Sequence, residues 1–449
     1  MQQWPTWCLL VLGALCVSYV FLQYLVPSIH IPVVRENNFT RFQVKYLCVF
    51  YTVMFADWMQ GVTMYDLYNE YARADKRRYL RDTIRAIRER ENSTATASLE
   101  KAWSDGTTHY LFLTGFITSA IVSLFIGQYI DAYGRKKSCV AYCALEVIIN
   151  VLEHIPNPLA LYIGRVLGGV STSILFVSFE SWMVTEHRRM GFHDRLLKYT
   201  FSLAHMGNGI VAMVAGIVAQ ILKDRYGNIG PFRCAIFISA AMMLYIHFYW
   251  RENFGRVNSD FRIACRSIFA DRSLVYLGLI QALFESVVFT FVFNWVPALN
   301  TKWTGIVFSC FMVCIAIGSV LFQLFVVSYR IPSQRFGVPI LGLASMALAI
   351  VARCRGEFAT TLAGFLIFEV CIGATMANQS SLRSETIPQE SQATIMNLLR
   401  VPLNVLAAVG IWGSSKYAMS TTLYGCATCL AISALVHTRL QKGQLNKLP

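Results

Sequence analysis

The sequence predicts a polytopic α-helical membrane protein, built as two six-helix bundles behind one extra N-terminal transmembrane helix. Three observations predict it. Of 449 residues, 55% are hydrophobic and 14% charged, whereas soluble domains carry roughly 25% charged residues. Mean hydropathy is +0.48. The apolar residues also gather in runs of about 20, the length that crosses a bilayer as a helix. Together these exclude a soluble enzyme, a disulfide-stapled secreted domain and a disordered tail.

The first apolar run, 7–27, has no Lys or Arg before it and so lacks the basic leader of a cleaved signal peptide. It reads as an anchor helix. Arg35, Arg41 and Lys45 follow it, which favours an outer N-terminus and an inner first loop. Twelve further runs lie at about 44–70, 107–131, 138–155, 159–184, 197–222, 231–250, 272–299, 303–328, 336–353, 358–381, 391–415 and 419–438. The expected organisation is an anchor and inner loop over 1–43, a first bundle over 44–250, a cytoplasmic linker over 251–271, a second bundle over 272–440 and a cytoplasmic tail over 441–449. Within the first bundle, 73–106 is a charged outer loop that alternates both signs and reads as a solvated amphipathic helix; its Asn92-Ser93-Thr94 is a glycosylation acceptor.

The net charge of +14 fits basic inner loops better than a nucleic-acid partner. The 13 cysteines lie in or beside apolar runs without His or acidic residues at ligand spacing, so they read as packing residues. No metal or cofactor site is expected, and no nucleophile, Walker or zinc-protease motif points to an enzyme. The two bundles echo each other. Asp57 is followed nine residues later by Asp66, and Glu285 nine residues later by Asn294, each acid about 13 residues into its span. Carboxylates at that depth are expected to line a cavity, shape a site or take up protons.

Gly127-Gln-Tyr-Ile-Asp131-Ala-Tyr-Gly134-Arg135-Lys136-Lys137 joins the second and third main spans. Its spacing resembles the loop signature of the major facilitator superfamily. Glycine there would admit a neighbouring helix, and Asp131 would latch the inner ends of the second and eleventh spans in one transport state. An ordinary basic inner loop is the alternative. Gly164-Arg165-Val-Leu-Gly168-Gly169 in the fourth span resembles a second superfamily signature, with Arg165 facing a cavity or a structural carboxylate.

Polar stripes mark the fifth and eleventh spans. Ser202, His205 and Asn208 share one helical face, as do Asn397, Arg400 and Asn404. Arg400 is the strongest anion-binding candidate, because a guanidinium fork matches two oxygens of a tetrahedral oxyanion. Glu180 with Glu186, and Arg383 with Glu385, stand near inner span ends and read as gating ion pairs between the bundles or as solvated helix ends.

Ala56-Asp57-Trp58, Phe179-Glu180-Ser181-Trp182, Ile280-Gln281-Ala282-Leu283-Phe284-Glu285-Ser286-Val287 and Arg400-Val401-Pro402-Leu403 resemble the molybdate-anion transporter family of that superfamily. The resemblance covers roughly 39–440. It implies the major facilitator fold, alternating access with optional proton coupling, uptake of the molybdate oxyanion and a place in the plasma membrane. It gives no oligomeric state. A transporter of sugars or organic ions is the alternative within the class. A non-transporting receptor or scaffold, binding through 73–106, is the alternative outside it.

Overall fold

The computed structural model describes residues 6–25, 37–90, 107–254, 266, 268–329, 331–354, 357–387 and 392–445. The described residues are almost wholly helical. In the first half the helices are α1 (Thr6–Leu25), α2 (Asn37–Arg90), α3 (Thr107–Ser123), α4 (Ile126–Tyr133), α5 (Arg135–Leu152), α6 (Pro158–Arg189), α7 (Asp194–Tyr226) and α8 (Gly230–Tyr249). The second half has α9 (Arg272–Leu299), α10 (Thr304–Phe322), α11 (Ser333–Arg353), α12 (Phe358–Thr386), α13 (Gln392–Lys416) and α14 (Met419–Leu445). A π-helical turn, Gln323–Ser328, continues α10.

Every predicted span falls on a helix. Ten described helices are long and apolar enough to cross a membrane, or eleven with α3 and α4 counted as one span bent by 60°. The two remaining predicted spans, in α2 and α5, are not among them. α5 opens on Arg135, Lys136 and Lys137 and holds Glu146. α2 runs on through Arg73 to Arg90 as one helix of 54 residues, so the charged insertion begins as a continuation of the first main span. The acceptor Asn92 lies outside the described residues.

Caps and glycines fix the corners. Asn157 caps α6 by accepting from the Leu159 N–H at 2.9 Å, ahead of Pro158 at the first helical position. Gly134 has φ +113°, a region open to glycine, and a Cβ there would lie 2.7 Å from the Glu252 carboxylate. That carboxylate accepts from the Lys136 and Lys137 backbone N–H groups at 2.9 and 3.2 Å, closing the start of α5 against the end of α8.

Helices α2 to α8 pack chiefly among themselves, as do α9 to α14, and the halves meet where α3 crosses α13 and α7 crosses α10. The second half has the larger apolar core, from Leu274 through Phe291, Phe311, Phe365 and Phe368 to Leu430. α1 stands apart from both bundles. It lies on α10, buries Cys8, sets Trp7 against Phe358 at 5.0 Å and leaves Leu10, Val17, Val20 and Phe21 exposed, as a lipid-facing helix does.

Candidate functional site

A cavity of about 350 Å³ opens between the halves. Asp57, Glu285, Arg165, Arg400 and Asn404, each singled out in the sequence, all line it. Trp58, Gln60, Glu146 and the aromatic rings of Phe112, Phe116 and Phe289 complete the wall. Arg165 stands 7 residues into α6 and Arg400 8 residues into α13, in opposite halves. At 1.5 Å per residue each lies some 10–12 Å from its helix start, and the two helices start at opposite ends of the bundle.

Arg165 is held by a carboxylate that the sequence reading passed over. Its Nη2 donates to Glu153 Oε1 at 3.0 Å, and the Tyr68 hydroxyl donates to the same oxygen at 2.7 Å. Glu146, two turns earlier on the same helical face, accepts from Gln60 Nε2 at 2.8 Å and from the Ser171 hydroxyl at 2.6 Å. Asp57 is set beside Glu146, so two like charges border the cavity together. The signal for Glu146 and Glu153 was present: both are acids inside the apolar run Cys143-Ala-Leu-Glu-Val-Ile-Ile-Asn-Val-Leu-Glu153.

Arg400 anchors the other end of the cavity. Its charge reaches Glu285, Arg383 and, across the halves, Glu180, which is exposed. Arg383 Nη1 lies 3.8 Å from Glu285 Oε1, so Arg383 pairs inside its own half and not between the halves as expected. The reason is placement: Glu285 on α9 and Arg383 at the end of α12 stand on helices of the same half that pack together. Asn208 also departs from expectation. Its Oδ1 accepts from Trp58 Nε1 at 3.0 Å, so it stands behind the wall and orients a lining ring. The side chains of Ser202, His205, Glu385 and Asn397 lie outside the described residues.

The loop signature is a corner within the first half. Asp131 accepts from Arg135 Nε and Nη2 at 2.9 and 2.7 Å, and Arg135 Nη1 donates to the Ser181 carbonyl at 3.2 Å and to Thr185. In the described conformation Asp131 and Arg135 thus clamp α4 and α5 onto α6. Gly127 does not admit a neighbour, because a Cβ there would meet nothing within 4 Å. The close approach belongs instead to Gly169, whose added Cβ would lie 2.6 Å from the Gly115 carbonyl oxygen on α3. Asp131→Asn should loosen the corner while leaving the cavity intact. Expected is a several-fold fall in turnover at unchanged KM, read from initial uptake rates. A rise in KM alone would speak against the clamp.

At the opposite end a polar clasp ties the halves. Lys223 Nζ on α7 donates to Asp66 Oδ2 at 2.6 Å and to Thr304 Oγ1 at 3.0 Å, and the Thr304 hydroxyl donates to Asp66 at 3.2 Å. Gln220 Oε1 accepts from the Gly305 N–H at 3.0 Å, and the Ser309 hydroxyl donates to the Met213 carbonyl at 2.8 Å. Beneath it Phe293 packs on His109 and Phe112 with ring centroids at 4.7 and 5.1 Å. Sequence reading noted Asp66 only as part of the repeat echo and missed its partners, because polar groups at span ends look like solvated loop chemistry.

Solved structures of similar fold are transporters. The peptide transporter POT in complex with sulfate aligns with TM-score 0.66 at 12% identity, over 89% of this chain and 94% of that one. The nucleoside transporter NupG aligns with TM-score 0.61 at 11% identity, over 89% and 99%. These likenesses concern the fold alone. A family profile described as sugar transporters with 12 transmembrane spans matches residues 99–373. The molybdate-anion transporter of Xenopus tropicalis is 31% identical over 401 residues, 86% of this chain and 81% of its own length. The chain belongs to the molybdate-anion transporter family. Relatives of the same name from Xenopus laevis and Takifugu rubripes are 31% and 28% identical over 86% and 83% of this chain. The chain is accordingly a membrane transporter and not an enzyme.

Proposed function

We propose that the protein takes up molybdate at the plasma membrane, its two halves rocking about the Arg165–Arg400 cavity to give alternating access. One observation carries this reading: each half contributes one arginine to the same cavity. A dianion leaving water needs compensating charge and several donors, and two guanidinium groups from opposite halves supply both. The clasped end would be the outer one and the Glu180 end the cytoplasmic one, which makes the described conformation inward-open. Charge bookkeeping favours proton coupling. Arg165, Arg383 and Arg400 face Asp57, Glu146, Glu153, Glu180 and Glu285, three cations against five acids. A bound dianion would raise that imbalance further unless carboxylates were neutralised.

The sugar description of the family profile supports a second reading, and Trp58, Phe112, Phe116 and Phe289 in the wall favour it. Uptake of labelled molybdate by cells expressing the chain separates the two. The expected result is saturable uptake that excess sulfate or phosphate depresses and a hexose does not. Uptake indistinguishable from control cells, or displacement by the hexose alone, would overturn the anion reading.

A further inference from the structure

We infer that Glu153 is a proton-exchanging positioning residue: protonated, it releases Arg165 to the anion, and ionised, it takes Arg165 back. The inference rests on the anion reading above. Glu153 is 0% exposed at the end of α5 and shares one oxygen between Arg165 and Tyr68, while Oε2 has no partner among the described residues. Arg165 is correspondingly underused. Its Nη2 binds Glu153, its Nη1 lies 2.9 Å from the poorly accepting Met64 sulfur, and its buried Nε has no partner among the described residues. Yet Arg165 lines the cavity. Free donors on a cavity-facing guanidinium are what an oxyanion would occupy.

Anion and carboxylate thus compete for one cation. If an anion draws Arg165 away, Glu153 keeps a single hydrogen bond from Tyr68 in a site closed to water. A buried carboxylate stripped of its cation is strongly disfavoured, and protonation removes the charge. The Tyr68 hydroxyl can still donate to the neutral acid, so the acid has a hydrogen-bonded place in both conditions. Other groups around Glu153 leave its cation unchallenged. Tyr71 on α2 donates to the Glu153 carbonyl at 2.8 Å, and His154 turns its Nδ1 to the Asn150 carbonyl at 2.7 Å. The charges of Glu70 and Arg233 act on Tyr71, and that of Glu146 also acts on Arg165. Asp57 and Glu146 sense an anion by repulsion alone; Glu153 also exchanges a bonding partner with it.

The test is molybdate uptake by cells expressing the whole chain, with KM measured across external pH. Binding one proton with the anion makes the wild-type KM climb with pH, by about tenfold per unit at the limit. Glu153→Gln keeps the Tyr68 contact without the charge, so its KM should be flat in pH and below wild type at the alkaline end. Glu153→Asp should restore the slope with a displaced midpoint. A Glu153→Gln profile parallel to wild type overturns the inference, as does a wild-type KM that ignores pH. Should Glu153→Gln not reach the surface, Glu153→Asp decides, and an undisplaced midpoint counts against Glu153. Absence of wild-type uptake would instead fell the anion reading itself.

Discussion

Replacing Arg400 with alanine should remove nearly all molybdate uptake while the protein still reaches the membrane. Arg400 is the cavity cation of the second half, and its charge also serves Glu180, Glu285 and Arg383. Truncating one member of a desolvated charge pair costs about 2–5 kcal/mol, which is roughly 30-fold to several thousand-fold in affinity. Arg400→Lys keeps the charge and loses the bidentate fork, so part of the uptake should survive. The competing account makes Arg400 the structural counter-ion of the carboxylates around it. Arg400→Ala would then fail to reach the surface, and neutralising Glu285 as well would restore it. Surface biotinylation and uptake on the single and double mutants distinguish the two. Normal uptake by Arg400→Ala would exclude both.

The second large effect is expected at Gly305. Here α10 meets α7 backbone to backbone: an added Cβ on Gly216 would lie 2.7 Å from the Gly305 carbonyl, and one on Gly305 would strike the Gly216 carbonyl. Gly305→Val should hold the clasped end apart. Overpacking of this kind costs about 1–3 kcal/mol, enough to shift a two-conformation equilibrium by about 5- to 150-fold. Uptake should fall accordingly. The thiol of a Phe293→Cys variant, shielded in the parent, should become reactive to an impermeant reagent added outside. Unchanged uptake and unchanged reactivity would show that the crossing can widen at no expense.

The helices were legible because an apolar run of span length has few other uses, and even the long α2 follows from 44–70 meeting a helix-forming charged stretch. Five cavity residues were legible for the same reason in reverse: Asp57, Arg165, Glu285, Arg400 and Asn404 interrupt apolar helices, where a polar group needs a purpose. Glu146 and Glu153 obey that rule too and were passed over only because no repeat partner or superfamily signature drew attention to them. Contacts between elements were the illegible part. Whether Asp131 reaches α13 or Arg135, and whether Asn208 faces the cavity or Trp58, depends on helix rotation and corner geometry. A helical-wheel argument fixes neither. The clasp was hidden for a further reason: Lys223, Asp66 and Thr304 are ordinary at span ends and become a lock only when two distant segments meet.

α1 imposes a leash. It rests on α10 of the second half, while its chain continues into α2 of the first. Leu25 and Asn37 are separated by 12 peptide steps, so the backbone between them can reach at most about 40 Å. As long as α1 keeps its seat on α10, that reach caps how far the lipid-side flank of one half can swing from the other. The amplitude of the transport stroke would then be bounded by a residue count between two helices.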